Sequence, residues 1–554
     1  MIFLKGLILG QLSYLHDHPI AYDLLDKLNT TGIASNPHLS IRPLNIMDIL
    51  EINPPGDSLD YLDDEAWNEL IENIPERYHF NLADTTAKTD ENKALLGVFY
   101  KDPTSFLTVD EPNFFLKIDP LIHFSLGDDF KNNGTVFQNT RGIQIRGTID
   151  KKVYFHTSIF ENQQGFLNYF EDEISRINAI PGQGFFRPYS SGVINGLKGW
   201  DFLNARAYGG FKISPSIDLQ LGHSRHFIGN GMRSLLLSDY AHNYFYLQLN
   251  TKIWKFHYQN TFAELSADSS KDLSGNNLLP KKYMATHYLN FQASPRFSIG
   301  LFESVIFSRT NHFEFQYLNP VILYRSVEQF LDSPDNAMLG FNIQWIPKNG
   351  WQLYSQLLID ELRTGEAFSG NGWWGNKTGF QVGLKLFDPF KISGLMIQVE
   401  HNTVRPYTYA HRSEDINSKP VTSYSHFNQP LAHPYGANFR ETIFNFKYRL
   451  HKNINASTIL LFSKYGHSDS ANVGRDILLN YESRQSDFGN FIGQGLTNSI
   501  FAFHFNTSWQ FFPNYYIDLK WIFRNQSVEN ESTIHTNYFG VGLRANIHQQ
   551  HALF

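Results

Sequence analysis

The sequence predicts an all-β protein: an 18-stranded antiparallel up-and-down transmembrane β-barrel preceded by a small helical N-terminal region. Three observations point there. Composition is the first. In 554 residues aromatics reach 15%, with 48 Phe and 28 Tyr, while charged residues are only 18%, and mean hydropathy is still negative at -0.33. Rings without oiliness are what a surface apolar outside and polar inside averages to. The second is a hydrophobic period that switches to two after about residue 112. The third is a regular alternation of short and long connections between the segments so marked.

The same numbers exclude other classes. No run of about 18 apolar residues is present to span a bilayer as a helix. A hydrophobic content of 42% is ample for a core, unlike a disordered chain. The 46 basic against 53 acidic residues, net -7, give no basic footprint for nucleic acid. With no Cys there is no disulfide framework, thiol chemistry or Cys-bound metal.

Residues 1–111 read as a helical, acidic unit and 112–554 as the barrel. The apolar opening from Met1 to Gly10 is interrupted by Lys5 and lacks a small-residue cleavage site, so it makes a poor signal peptide and suggests a truncated or processed start. Ala21 to Leu28 has helical spacing and is followed by Gly32; Tyr61 to Ile74 places Leu62, Trp67, Leu70 and Ile71 on one face amid Asp and Glu. Such a unit is either a periplasmic cap or a plug whose carboxylates pair with basic residues inside the barrel.

From residue 113 the alternation marks strands at 113–126, 140–149, 152–161, 202–213, 216–227, 243–250, 252–263, 284–293, 296–307, 338–346, 351–362, 377–387, 394–404, 440–450, 454–466, 497–509, 514–526 and 535–548. In the last, Phe539, Val541 and Leu543 share one face and Gly540, Gly542 and Arg544 the other. Alternation alone also fits a soluble sandwich. The composition of the apolar face discriminates: Trp254, Phe256 and Tyr258, or Phe501, Phe503, Phe505 and Trp509, resemble a lipid-facing band with aromatic girdles. Connections after even strands are tight, as at Asp150-Lys151 and Ser214-Pro215, and those after odd strands are long, notably 162–201, 308–337, 405–439 and 467–496. That sorting predicts periplasmic turns and termini, extracellular loops and an outer-membrane location. The terminal Phe554 resembles an outer-membrane assembly signal. Two irregularities predict β-bulges: Glu303, which shares the apolar parity of Leu301 and Val305, and Pro120 inside the first strand.

Lumen-facing positions are polar and of mixed sign, among them Arg146, Gln356, Asp360, Lys385, Glu400, Lys447 and Asp518. They suit a solvated porin wall, hydrogen bonds to sugar hydroxyls or the docking of a plug.

Certain segments carry a resemblance. The stretch His18-Pro-Ile-Ala-Tyr-Asp-Leu-Leu-Asp-Lys-Leu28, then Arg42-Pro-Leu, is similar to the opening of the capsule-assembly Wzi family of outer-membrane surface lectins. The segments Gly222-His-Ser-Arg-His-Phe-Ile-Gly-Asn-Gly-Met-Arg233 and Phe315-Gln-Tyr-Leu-Asn-Pro-Val-Ile-Leu-Tyr-Arg325 resemble a gliding-motility-associated branch of such barrels. The resemblance implies an eighteen-stranded barrel carrying a helical bundle and binding capsular polysaccharide at the cell surface. No ligand residue carries over from it.

Sugar binding needs rings to stack on and planar polar groups for paired hydroxyls. Candidate polysaccharide-binding residues are therefore Trp373 and Trp374, with Arg405, Tyr407, Tyr409 and Arg412, and with Arg187 and Tyr189 in the longest loop; Asp360 and Glu400 are candidates from the lumen. Trp373 and Trp374 lead because their flanking glycines offer little packing; the alternative is that all these rings only pack loops together. His223 and His226 read as a polar rim without a third metal ligand. Ser224 is a nucleophile on paper only, and Asp360 and Glu361 point to opposite faces of a strand, poor geometry for glycoside hydrolysis. The expectation is a non-enzymatic barrel without cofactor or metal, whose partners are surface polysaccharide, outer-membrane lipid and gliding-motility or secretion proteins. A structural role in such an assembly and a plugged porin-like channel are the alternatives.

Overall fold

Period-two patterning becomes eighteen wall strands in the computed structural model, paired antiparallel in chain order and closed by the last strand on the first. The structure describes residues 14–547 except 16–18, 34–37, 53, 55–58, 81–98, 101, 133, 193–195, 270–278, 310–313, 322–323, 325–326, 328–334 and 469. The opening apolar stretch and the terminal Phe554 lie outside the described residues.

The wall comprises β1 (Phe114–Asp129), β2 (Gly134–Ile149), β3 (Val153–Gln164), β4 (Lys198–Ser214), β5 (Ile217–Ser224) and β6 (Tyr244–Ile253). It continues with β7 (Phe256–Ser266), β8 (Lys281–Ser294), β9 (Phe297–Phe307), β10 (Asn336–Trp345), β11 (Trp351–Glu361) and β12 (Lys377–Phe387). The circuit closes through β13 (Leu395–Val404), β14 (Phe439–His451), β15 (Ile454–His467), β16 (Leu496–Phe512), β17 (Tyr515–Val528) and β18 (Ile534–Ala545). Asp150 and Lys151, both at positive φ (51° and 55°), make the tight β2–β3 hairpin. The alternation of connection lengths has two exceptions. Residues 130–133 and 529–533 are short because β1, β2 and β17 extend beyond their expected ends.

Many outward positions are apolar and uncovered, among them Leu339, Phe341, Ile343 and Trp345 on β10, and Phe539, Val541 and Leu543 on β18. Trp254, Trp345, Trp351 and Trp509 ring the end that carries the tight turns, as an aromatic girdle does. Inward positions are polar, and most are buried, so the lumen is not an open water-filled pore along its whole wall.

Much of that burial comes from three segments, and residues 166–183, with the helix Asn168–Ile177, add to it against Phe202, Ile522 and Tyr538. The first is the N-terminal region, with helices α1 (Pro19–Thr31), α2 (Ile46–Leu50), α3 (Tyr61–Glu72) and α4 (Glu76–His79) around a core that includes Leu25, Leu28, Ile46, Ile49 and Leu70. Gly32, at φ 77°, ends α1 as expected. Acidic residues of this region meet basic residues of the wall: Asp26 with Lys385 at 2.6 Å, Asp23 with Lys447 at 2.5 Å, Glu69 with Arg449 at 3.0 Å, Glu76 with Arg146 at 2.6 Å, and Asp48 with Lys252. In return Lys27 Nζ sits among Asp63 (2.6 Å), Asp388 (2.5 Å) and Asp60 (3.6 Å). Each charge taken out of water thus has an opposite one at contact distance.

The second and third segments are connections that fold inward, residues 225–243 after β5 and 405–438 after β13. Expected strand 216–227 stops at Ser224 because the chain turns into the lumen there. Phe227–Ile228 then pairs with Ile41–Arg42 of the N-terminal region, and Gly229 donates its N–H to the Ser40 carbonyl at 2.8 Å. The Tyr409 and Tyr424 hydroxyls donate to the Leu235 and Leu236 carbonyls, at 2.7 and 2.8 Å.

Neither expected bulge is present. Pairing of β1 with β2 runs unshifted through Pro120. On its other side β1 pairs with Leu107–Glu111 up to Ile118 and with β18 only from Ile122, so Pro120 falls in a gap where no ladder donor is needed. Register between β9 and β10 is likewise continuous across Glu303, which faces outward and is covered there by residues of the 308–335 connection.

Candidate functional site

At the end bearing the long connections, residues 362–376, 405–438 and 468–495 are stitched into one crown. Trp374 donates its N–H to the Asp487 carbonyl, Gly489 to Asn371 and Asn490 to Gly372, each at 2.9 Å. Tyr407 donates its N–H to the Gly474 carbonyl at 2.8 Å. Such main-chain pairing fixes side chains of three connections relative to one another, although none is a wall strand.

A ring and cation cluster lies at this junction. The Trp374 ring meets Tyr481 at 4.8 Å and Tyr407 edge-on at 6.3 Å. Arg484 stacks its guanidinium 4.1 Å from the Trp374 centroid, and Lys377 Nζ lies 4.0 Å from that of Tyr481. Arg405 donates from Nε to the Asn376 carbonyl (2.6 Å) and from Nη2 to that of Trp373 (3.3 Å). Burial, with Lys377 close by, pushes His411 down to about 4, so it is neutral at physiological pH.

The expected binding residues separate accordingly. Trp373 and Trp374 come together with Arg405 and Tyr407, but both Trp rings are half-buried, and Trp374 is enclosed by Tyr481 and Arg484. The flanking glycines do not leave the Trp pair unpacked: a side chain at Gly375 would meet the Trp373 ring at 2.4 Å, and one at Gly372 the Asn490 backbone at 2.7 Å. Those glycines let ring and neighbouring backbone approach. Tyr409 is buried, donating its hydroxyl inward to Leu235. Arg412 is exposed at the outer edge of the crown.

Asp360 and Glu400 are not open carboxylates on a lumen wall. Asp360 accepts the Tyr409 N–H at 2.7 Å. Glu400 accepts from the N–H groups of Met232 (2.7 Å) and Arg233 (3.1 Å), from the Tyr354 hydroxyl (2.8 Å) and from Asn402 Nδ2 (2.9 Å). Both anchor inward-folded connections, a role that polarity and parity alone cannot distinguish from ligand contact. Arg187 and Tyr189 sit elsewhere, on Phe186–Ser190, a short strand pairing with β4. There Arg187 is 3.4 Å from Asp201, and Tyr189 packs 6.0 Å from Phe137.

Three open rings of the crown were missed by pattern reading. Phe368 is 94% exposed, Phe491 62% and Phe488 51%. Phe488 and Phe491 flank the residues that pair with Asn371 and Gly372, so they share the Trp373 junction. A lone Phe in a polar loop carries no motif, which is why spacing did not reveal them. Exposed rings beside amides and an exposed Arg can stack on a sugar face and bond its hydroxyls. His223 and His226, read as a rim, hydrogen-bond the Ala205 carbonyl (3.2 Å) and the Tyr244 hydroxyl (3.1 Å).

No protein-family profile matches the chain, and no curated protein matches it in sequence. Solved structures do. Wzi, an outer-membrane protein involved in group 1 capsule assembly in Escherichia coli and described as a carbohydrate-binding β-barrel, is similar in structure with a TM-score of 0.56 at 13% identity, over 98% of this chain and 100% of its own. OprD of Pseudomonas aeruginosa (TM-score 0.41, 9% identity, 77% of this chain and 94% of its own) and OccAB2 of Acinetobacter baumannii (0.40, 10%, 78% and 97%) also match. At such identities the likeness to Wzi shows the fold: an eighteen-stranded barrel of the outer-membrane type.

Proposed function

We propose that this chain is an outer-membrane barrel whose crown binds and retains surface polysaccharide without chemically altering it. The single observation that carries the proposal is the crown itself: open rings at Phe368, Phe488 and Phe491 on a framework fixed by main-chain hydrogen bonds. The full-length likeness to a carbohydrate-binding barrel supports it. In this arrangement Trp374, Arg405 and Tyr407 hold the platform, while Trp373 and the three phenylalanines meet the glycan. The 1–111 region acts as a plug, with connections 225–243 and 405–438 completing the closure from the loop side.

The test uses the triple variant Phe368→Ala, Phe488→Ala and Phe491→Ala, with Trp373→Ala alongside. Retention of surface polysaccharide on whole cells, and binding of that polysaccharide to the purified barrel, are both measured. Loss of at least about tenfold in affinity is expected, because stacking contact on each ring contributes on the order of 1 kcal/mol. Unchanged binding by both variants would sink the site.

One observation favours a second function. A cavity of about 590 Å³ remains between the inward segments and the wall, touching Gln138, Arg225, Gln398 and Lys520. A plugged channel predicts greater ion conductance after deletion of residues 1–111 than from the intact chain, and more again once connections 225–243 and 405–438 are also shortened. Conductance of the intact chain at porin level would instead make passage, not retention, its activity.

A further inference from the structure

The cavity of about 590 Å³ is bounded by four different parts of the chain. Its wall side is the inward face of β17, β18, β1 and β2. There Asp518 pairs with Gly542, Gly542 with Ser125, and Ser125 with Gln138, so the wall is recessed at Gly542 between polar side chains. Lys520 stands at the next inward position of β17. Toward the loop end residues 166–183 form a roof, since Tyr169 and Phe170 pack with Ile522 and Tyr538 of that wall, and Phe166, stacked on Phe170 at 4.3 Å, also lines the cavity. Tyr22 and Asp23 of α1 close the opposite end, and Arg225 borders the cavity from the inward-folded connection after β5.

Charge in this chamber does not balance within the protein. Asp23 is held by Lys447, and Asp518 accepts from Arg544 Nε at 2.8 Å. Lys385 and Arg233 face Asp26 and Glu441. The remaining lining carboxylate, Asp239, is exposed. Arg225 and Lys520 are left over: neither makes a hydrogen bond or ion pair with a described residue, and Arg225 Nε is fully buried. A cation withdrawn from bulk water without an acid partner is costly, and an anion entering the chamber relieves that cost at both groups.

The rest of the lining says which anion. Ser125 and Gln138 offer a hydroxyl and an amide beside the recess, and the Phe166 side offers an aromatic face above it. Ammonium and guanidinium bind a carboxylate, amide and hydroxyl groups bond ring hydroxyls, and an aromatic face packs on the apolar side of a sugar. The volume falls within the roughly 300–1,000 Å³ of pockets that enclose a small ligand, which is room for a saccharide of about one or two rings.

We propose that this chamber binds a mono- or disaccharide bearing a carboxylate, with Lys520 and Arg225 as its charge partners. The site is separate from the crown, because none of Trp373, Phe368, Phe488 and Phe491 lines it. Glucuronate is the probe, titrated calorimetrically into the purified full chain, with glucose and inorganic phosphate as comparisons. Saturable binding of glucuronate is expected, with glucose and phosphate each at least about tenfold weaker. The crown variant Phe368→Ala, Phe488→Ala and Phe491→Ala should bind glucuronate unchanged, which keeps failure of this site distinguishable from failure of polysaccharide retention. Lys520→Gln and Arg225→Gln should each weaken binding by at least about tenfold, and Lys520→Arg, which keeps the charge, should retain most of it. Heat-modifiable electrophoretic migration confirms that each variant is folded. Absence of saturable glucuronate binding, equal binding of glucose or of phosphate, affinity that both glutamine variants leave intact, or affinity lost in the crown variant overturns the proposal.

Discussion

Glu400 concentrates four donors on one carboxylate, and two of them are main-chain N–H groups of Met232 and Arg233. Gly231 is part of the same contact, for a side chain there would lie 2.3 Å from Glu400 Oε2; Gly229, at φ 150°, stands in the same relation to Gln356 Nε2, at 2.5 Å. The Gly-Asn-Gly of the segment noted in the sequence is thus a place where backbone reaches wall carboxylate and amide. Glu400→Ala strands buried donors at about 1–3 kcal/mol each. Amide exchange across 229–237 should then accelerate by at least about tenfold while β10–β13 stay protected. Gly231→Val should act in the same direction.

Histidines of the inward segments share one electrostatic fate. Burial holds His426 and His226 down to about 3, the latter with help from Arg206, and His38 and His411 down to about 4. Unfolded, each would titrate near 6.5. A basic group whose folded value is depressed makes the unfolded state bind more protons, so stability falls as pH drops from about 6.5 toward 3–4 and is level above about 7. Limited proteolysis at pH 4.5 should therefore cut 225–243 and 405–438 sooner than at pH 7.5. Equal rates at both would count against a neutral histidine interior.

Among elements, α1 is the one whose charge placement decides its seat. Asp23 and Asp26 face Lys447 and Lys385, and Lys27, four residues after Asp23, reaches Asp63 on α3 and Asp388 beyond β12. Lys27→Met leaves three carboxylates crowded without their cation, and burial already raises that of Asp63. A loss of about 3 kcal/mol in the docking of this region is expected, read as new protease cleavage between residues 14 and 80 with the wall intact. Helix positions were legible because 3.6-residue spacing and Gly32 mark them. Their partners were not, because no local pattern ties Asp26 to a lysine 359 residues away.

For the whole molecule, one wall separates two solvents. Phe341, outward on β10, should cost about 2–4 kcal/mol when changed to Arg if lipid covers it, measured by denaturant unfolding in bilayers. An arginine at Gln344, on the opposite face of the same strand, tests interior crowding instead. Absence of that penalty in bilayers would contradict a lipid-facing belt.

Period two, ring placement and loop sorting determined the strand number, the order and the two faces of the wall, because those are properties of neighbours along the chain. Alternation also stated truthfully that Glu303 points outward, and the bulge invented to rescue it was unnecessary. Only tertiary structure decided what covers each face: which connections turn into the lumen, which one lies over the outer wall, and which rings remain open at the crown. Burial of Asp360, Glu400, Tyr409 and Glu303 is set by segments tens to hundreds of residues away, and one residue's parity carries no information about what arrives to cover it.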